Sequence, residues 1–405
     1  MRTKCDASYK DGRAHTLTLP SPREPLNPMS VDSQGSQRAK PALPLEGCST
    51  GPREPGRIPA LIPVLHKDGT SLTPCKPAKA RKLLKGGVAE KRWNKLGQFY
   101  IQMLVETGKE RPEMWLADDP GSKYDGLAIA SHKQVQMAVM LELPTGIADK
   151  LTNRSQLRRA RRFKLRRRPK RFDNRHRPEG WIAPSQKAKV EFRLKVIREL
   201  CRIYPITGFV VEDVRFNHYR KQWGKNFSTV EIGKAYLYEE LKKLGQLKLY
   251  EGWETQEERD VQGLKKIKSK SKRVLESHAV DAVAMLSRWL GTLDLRVPEF
   301  WVFKHPNLRR RSLHLQNPAK GGVRRVHGGT VALGVPKNTI CILKSRLYRT
   351  GGSTKGRLSL HDLSLEAKRV RRNAKVGEIK LLFRQTIFGK EVLKGFALAP
   401  APPQG

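Results

Sequence analysis

Cysteine is sparse in this 405-residue sequence: Cys5, Cys48, Cys75, Cys201 and Cys341 are scattered, and none forms the CxxC half of a zinc site. Neither a disulfide framework nor structural zinc is expected. No run reaches the roughly 18 to 20 apolar residues of a membrane span, and the first residues lack the apolar core of a secretory signal. These absences predict an intracellular protein with no membrane partner, in a prokaryotic cytoplasm. Acidic residues are also in short supply: 38 Asp and Glu stand against 81 Lys and Arg, a formal net charge of +43. Self-repulsion on that scale calls for a polyanion, and nucleic acid is the natural one. Binding would release counterions and weaken steeply with salt.

What is present changes character along the chain. Residues 1–56 are rich in Pro, Ser and Gly without helical or strand period, and read as a disordered leader. From Ile58 a short strand, a turn at Lys67-Asp68-Gly69 and a basic helix from Pro77 define a small module over 57–109. Its basic cluster is Lys76, Lys79, Arg81, Lys82 and Lys85. Three apolar runs, "EMWLADDP", "GSKYDGLAIAS" and "QVQMAVMLELP", suit the opening meander of a mixed sheet over 110–150. An arginine-dense segment over 151–178 follows, expected to be helical from Asn153 until Pro169 stops it. It carries Arg154, Arg158, Arg159, Arg161, Arg162, Arg166, Arg167 and Arg168. Over 179–296 come an amphipathic helix, the apolar strand "ITGFVVEDV" and the helix "ESHAVDAVAMLSRWLG", ended by Gly291. Alternating strand and helix argue α/β. From Val297 to residue 395, short strands and glycine turns predict a basic, β-rich C-terminal domain before a tail over 396–405.

Four residues carry the candidate chemistry. Asp119 closes the strand "MWLAD", and period-two alternation puts it on the face of Trp115 and Ala117, with Asp118 on the other. Glu212 ends "GFVVE" on the face of Val210, a charge at the tip of a buried strand. His278 and Asp281, three apart, are expected on one helical face. Converging carboxylates suit hard divalent ions that stabilise both oxygens of a phosphodiester under attack. Each acid also has a plainer explanation: Asp119 opens a turn, Glu212 pairs with an arginine, and His278 to Asp281 cap a helix. Their chain order is what an RNase H-like nuclease requires.

At these residues the chain resembles RuvC nuclease domains, with "DPGSKYDGLAIA", "VVEDVRFN" and "SHAVDA" like the three motifs. The arginine-rich helix with "RFDNRHRPEGW" after it resembles the bridge helix and linker of transposon-encoded IscB proteins. "IPVLHKDGTSLTPCKPAKARKLLKGGVA" looks like their N-terminal module, with Leu72 and Pro74 fitting its Pro-Leu-Met-Pro signature and Ser71 and Thr73 departing. Only 69 positions separate Glu212 from Asp281, and they hold no His-Asn-His arrangement, so the second nuclease domain of that family is missing. The resemblance is therefore to the IsrB branch, over Ile58 to Gly395. It implies a RuvC domain split by the bridge helix, and a monomer in a ribonucleoprotein with a guide (omega) RNA. It also implies nicking of the displaced non-target strand of double-stranded DNA bearing a short target-adjacent motif, which the C-terminal domain reads. Asp119, Glu212 and Asp281 would hold two magnesium ions, with manganese as substitute, and His278 would serve the attacking water. The arginine helix and the basic module would follow RNA phosphates. Asp118 departs from the apolar residue that usually precedes the first aspartate. A non-catalytic RNA-binding protein would explain charge and arginines but not the ordered carboxylates. A guide-independent resolvase or transposase would explain the carboxylates but not the arginine helix.

Overall fold

Alternating apolar residues build the centre of the molecule. In the computed structural model, which describes residues 59–161, 179–213, 215, 230–291, 294–306, 313–314, 326–327 and 329–396, the chain is mixed α/β with several sheets. The expected leader, Arg162, Arg166, Arg167, Arg168 and the tail over 397–405 lie outside the described residues.

The N-terminal module is a four-stranded sheet. Strands β1 (Ile62–Leu65) and β2 (Ser71–Cys75) form a hairpin, helix α1 (Pro77–Lys85) follows with Pro77 in its first turn, and β3 (Ala89–Trp93) pairs antiparallel with β4 (Phe99–Met103). β1 and β4 run parallel at the centre, giving the order β2-β1-β4-β3. Ala80 anchors α1, while Lys76, Lys79, Arg81, Lys82 and Lys85 are all exposed, leaving one basic face to solvent.

The three expected apolar runs form the antiparallel meander β5 (Met114–Asp119), β6 (Tyr124–Ser131) and β7 (Val135–Glu142). Helix α2 (Ile147–Arg161) then starts six residues earlier than Asn153, directly after Gly146, with Asp149 in its first turn where the helix dipole favours an acid. Helix α3 (Pro184–Cys201) leads to β8 (Ile206–Glu212), which lies parallel to β5. Helix α4 (Lys234–Lys242) returns to β9 (Gln246–Tyr250), parallel to β8, and α5 (Gly252–Val261) follows.

Two expectations change here. The run "ESHAVDAVAMLSRWLG" is two helices, α6 (Leu275–His278) and α7 (Val280–Leu290), broken at Ala279, whose φ of −125° and ψ of 0° leave helical geometry. His278 and Asp281 therefore do not share one continuous helical face. Strand β10 (Val297–Lys304), expected within the C-terminal β-rich region, instead runs parallel to β7 in the central sheet.

Two short ladders follow, β11 (Leu313–His314) with β12 (Val326–His327) and β13 (Val331–Ala332) with β14 (Val335–Pro336). The C-terminal region is then a five-stranded antiparallel sheet. It comprises β15 (Thr339–Leu343), β16 (Arg346–Thr354), β17 (Arg357–His361), β18 (Arg369–Ala374) and β19 (Lys380–Arg384), in the order β18-β17-β16-β15-β19. The last strand, β20 (Phe388–Phe396), rejoins the central sheet antiparallel to β10, completing the order β20-β10-β7-β6-β5-β8-β9.

The central sheet is buried on both faces, as its near-continuous apolar strands require. Trp115, Ala117, Ala128, Ala130 and Val210 pack against α7. Met114, Leu116, Leu127, Ile129, Phe209 and Val211 pack against α3 and α4. Among the described residues no helix is long and apolar enough to cross a membrane.

Candidate active site

The carboxyl ends of β5 and β8 lie side by side, with Asp118 opposite Val211 in the parallel register. The next residues, Asp119 and Glu212, are therefore neighbours on the face that α7 covers. Asp281 sits in the first turn of α7 and is only 2% exposed. Its closeness depends on Gly126, the register partner of Asp119 on β6: a Cβ there would stand 1.8 Å from the His278 carbonyl oxygen. Only glycine lets the α6–α7 junction settle against the strand beside Asp119.

Three carboxylates so placed cannot all ionise cheaply. Burial, and then the charges of Asp281 and Glu212, hold the Asp119 carboxyl well above the usual carboxylate range. It shares a side-chain hydrogen bond with Glu212 that favours its protonated form, while Lys266 pulls the other way. The Lys266 ammonium pairs with Asp281 Oδ2. Arg259 Nε lies 3.1 Å from Asp281 Oδ1 without hydrogen-bond alignment, so that buried oxygen has no donor. Among the described residues no three His, Cys, Asp or Glu side chains stand ready gathered as a metal shell. Here the cluster closes on a lysine. The donor set is nonetheless all hard carboxylate oxygen, including the orphaned Oδ1 of Asp281, which fits magnesium better than a soft metal.

His278 is brought near but turned away. Its Nε2 lies 2.9 Å from the Lys272 carbonyl, its ring meets the Tyr124 ring edge-on at 5.0 Å, and Glu142 and Lys270 are the side-chain charges that act on it. Burial lowers its pKa below the ordinary histidine value, favouring the neutral ring. A carbonyl partner requires Nε2 to carry the proton, which leaves Nδ1 unprotonated.

On the opposite face Asp118 meets a second polar network. Arg193 of α3 places Nε 3.3 Å from Asp118 Oδ2 and a terminal nitrogen 2.7 Å from Asp125 Oδ1. Asp125 Oδ1 also accepts the Gly121 amide at 2.7 Å, tying the turn after Asp119 into the network. Burial dominates, and holds the Asp118 carboxyl at about 7 despite the guanidinium. The sequence reading missed Arg193, although a signal was there: Val190, Arg193, Val196, Ile197 and Leu200 fall on one buried face with a charge in it. Lys266 gave no such signal, since it is one of many in "LKKIKSKSKR".

Of the arginine helix, Arg154 is exposed and Arg158, Arg159 and Arg161 continue the described backbone of α2. The class of molecule is thus a mixed α/β protein with a clustered carboxylate site at the ends of two adjacent parallel strands. A family model described as RRXRR protein matches residues 62–234. That span runs from β1 to the start of α4 and includes Asp119, Glu212 and the stretch Arg158-Arg159-Ala160-Arg161-Arg162, but neither His278 nor Asp281. No curated protein matches the chain.

Proposed function

We propose that this protein is an RNA-guided DNA nickase of the IsrB kind, acting through a RuvC-like site. The observation that carries the reading is the meeting of Asp119, Glu212 and Asp281, separated by up to 162 positions in sequence, at one end of the central sheet. The RRXRR match supports it, being to a domain found in IscB- and IsrB-like proteins. The five strands β7-β6-β5-β8-β9, an antiparallel meander followed by two parallel strands, suit the RNase H-like fold such a site needs.

On this reading Asp119, Glu212 and Asp281 hold magnesium, which when bound polarises the scissile phosphate and steadies the charge that develops on it. His278, lowered in pKa by burial, would serve the water as general base once its ring turns from the Lys272 carbonyl toward the acids. The α2 arginines and the exposed face of α1 follow the phosphates of a guide RNA, which reads sequence by pairing with one DNA strand. The C-terminal five-stranded sheet, with Arg369, Arg371 and Arg372 exposed on its β18 edge, meets the DNA beside the target.

The test is to co-purify the chain with the transcript of its neighbouring region and assay supercoiled plasmid carrying the guide's target, with magnesium or EDTA. A guide-dependent, magnesium-dependent nick is expected, and Asp119→Ala should lose it while retaining RNA. Nicking by the alanine variant would exclude Asp119 from the site. RNA retention with no nick under any condition would favour a non-catalytic RNA-binding protein.

A further inference from the structure

Between α5 and α6, residues 264–274 cross the carboxylate site as a strap without regular secondary structure. The strap carries Lys265, Lys266, Lys268, Lys270, Lys272 and Arg273 and no acid, so self-repulsion should loosen it. It is nevertheless pinned along its length. The Ile267 amide donates to the Glu276 carbonyl at 3.1 Å, and Ser277 Oγ to the Ser269 carbonyl at 2.8 Å. Lys270 donates to the Ser277 carbonyl, Lys272 receives His278 Nε2, and Arg273 reaches Glu142 at 2.6 Å. Just ahead of these ties Lys266 sets its ammonium on Asp281, where its charge also acts on Asp119.

We propose that Lys266 is a resident counter-cation. In the metal-free protein its ammonium fills the place of a divalent ion among Asp119, Glu212 and Asp281, and metal enters by expelling it to solvent. The inference rests on reading these acids as metal ligands. Two cations touch Asp281, and only one is built to leave. Arg259 belongs to helix α5 and is 14% exposed, whereas Lys266 has a flexible four-carbon stem, is 35% exposed and belongs to an irregular segment. The Asp281 side chain is 3% exposed, so the ammonium reaches it from the solvent side. A lysine placeholder also accounts for a buried acid cluster that has the donors of a metal site without being gathered as one. A divalent ion carries twice the charge and can bind several carboxylates at once, so it competes successfully once concentrated enough.

The experiment measures Mn2+ binding to the full chain without nucleic acid, by electron paramagnetic resonance of the free ion. Lys266→Ala should bind Mn2+ about tenfold more tightly than wild type, the effect of removing one competing ion pair. Asp119→Asn should abolish the site in either background. Equal or weaker affinity in Lys266→Ala, with binding still dependent on Asp119, overturns the placeholder and leaves the carboxylate site standing. Binding indifferent to Asp119→Asn overturns both. A second readout needs no substitution: amine acylation of wild-type protein, mapped by peptide mass spectrometry with and without Mg2+. Labelling at Lys266 should rise several-fold with Mg2+ while Lys265 stays unchanged; no rise at saturating Mg2+ also overturns the proposal.

Discussion

Replacing Arg193 by methionine would strip the guanidinium seated between two buried acids on the α3 face of the sheet. Arg193 is 6% exposed, with Asp118 and Asp125 at 0% and 1%. Its Nε lies 3.3 Å from Asp118 Oδ2 and 2.8 Å from Asp125 Oδ2. Methionine keeps much of the stem's bulk and takes the ion-pair partner from both carboxyls, leaving Asp125 with the charge of Lys189 alone, a change that typically costs about 3 to 5 kcal/mol. The cost should depend on pH. Asp118 is held at about 7, above the 3.8 of a free aspartate. A carboxyl raised in this way contributes fully to stability below its unfolded value and loses that contribution as pH rises through the folded one. Without Arg193 the folded value moves higher still. The deficit of Arg193→Met should therefore be largest near about pH 8 and shrink toward about pH 5, where Asp118 is protonated in both proteins. Urea or thermal midpoints of the metal-free chain across that range measure it, and adding Asp118→Asn should recover part of the loss at the alkaline end. A deficit below about 1 kcal/mol at about pH 8, or one flat with pH, would refute the reasoning.

Gly126→Ala should lower the thermal midpoint and the Mn2+ affinity together, because its Cβ would meet the His278 carbonyl oxygen at 1.8 Å and push the α6–α7 junction off β6. A variant unchanged in both would show that the close approach is unimportant. Burial pushes the Cys201 thiol up to about 12 and the Cys341 thiol to about 11, so iodoacetamide at mildly alkaline pH should modify neither in the folded chain and both in urea. Peptide mass spectrometry decides it, and rapid labelling of folded Cys341 would contradict its burial. Affinity for a short RNA should fall steeply and log-linearly with salt, and Arg158→Glu with Arg159→Glu and Arg161→Glu should flatten the slope. A triple variant with the wild-type slope would remove α2 from the RNA-binding surface.

The parts of this architecture that follow period-two alternation were legible before any coordinates. Asp119 and Glu212 fall on one face and Asp118 on the other because β5 and β8 are long, buried and regular. The helix break was not legible. Nothing in "ESHAVDAVAML" contains Gly or Pro, and the interruption at Ala279 coincides with the tight seat on Gly126 and the ties from the strap, a tertiary effect that outweighs local propensity. The destination of β10 was equally hidden, since its parallel partner β7 lies far away in sequence and a short, mostly apolar strand such as "VPEFWVFK" fits any sheet. That His278 faces a backbone carbonyl and a lysine faces the acids depends on the path of an irregular segment, which leaves no periodic trace.

The strand that closes the central sheet has a consequence for how the chain is made. β10 is apolar at Phe300, Val302 and Phe303, and its outer edge pairs with β20, residues Phe388–Phe396. A ribosome delivers β20 roughly 84 residues after β10 is complete, after the whole five-stranded sheet has emerged. Throughout that interval the nascent protein presents an open apolar edge, the kind of template that recruits strands from other chains. The C-terminal sheet, folding in the meantime, keeps β20 on the same molecule as the edge it must cover, and truncation just before Phe388 should yield a chain that aggregates rather than one that merely lacks its last strand.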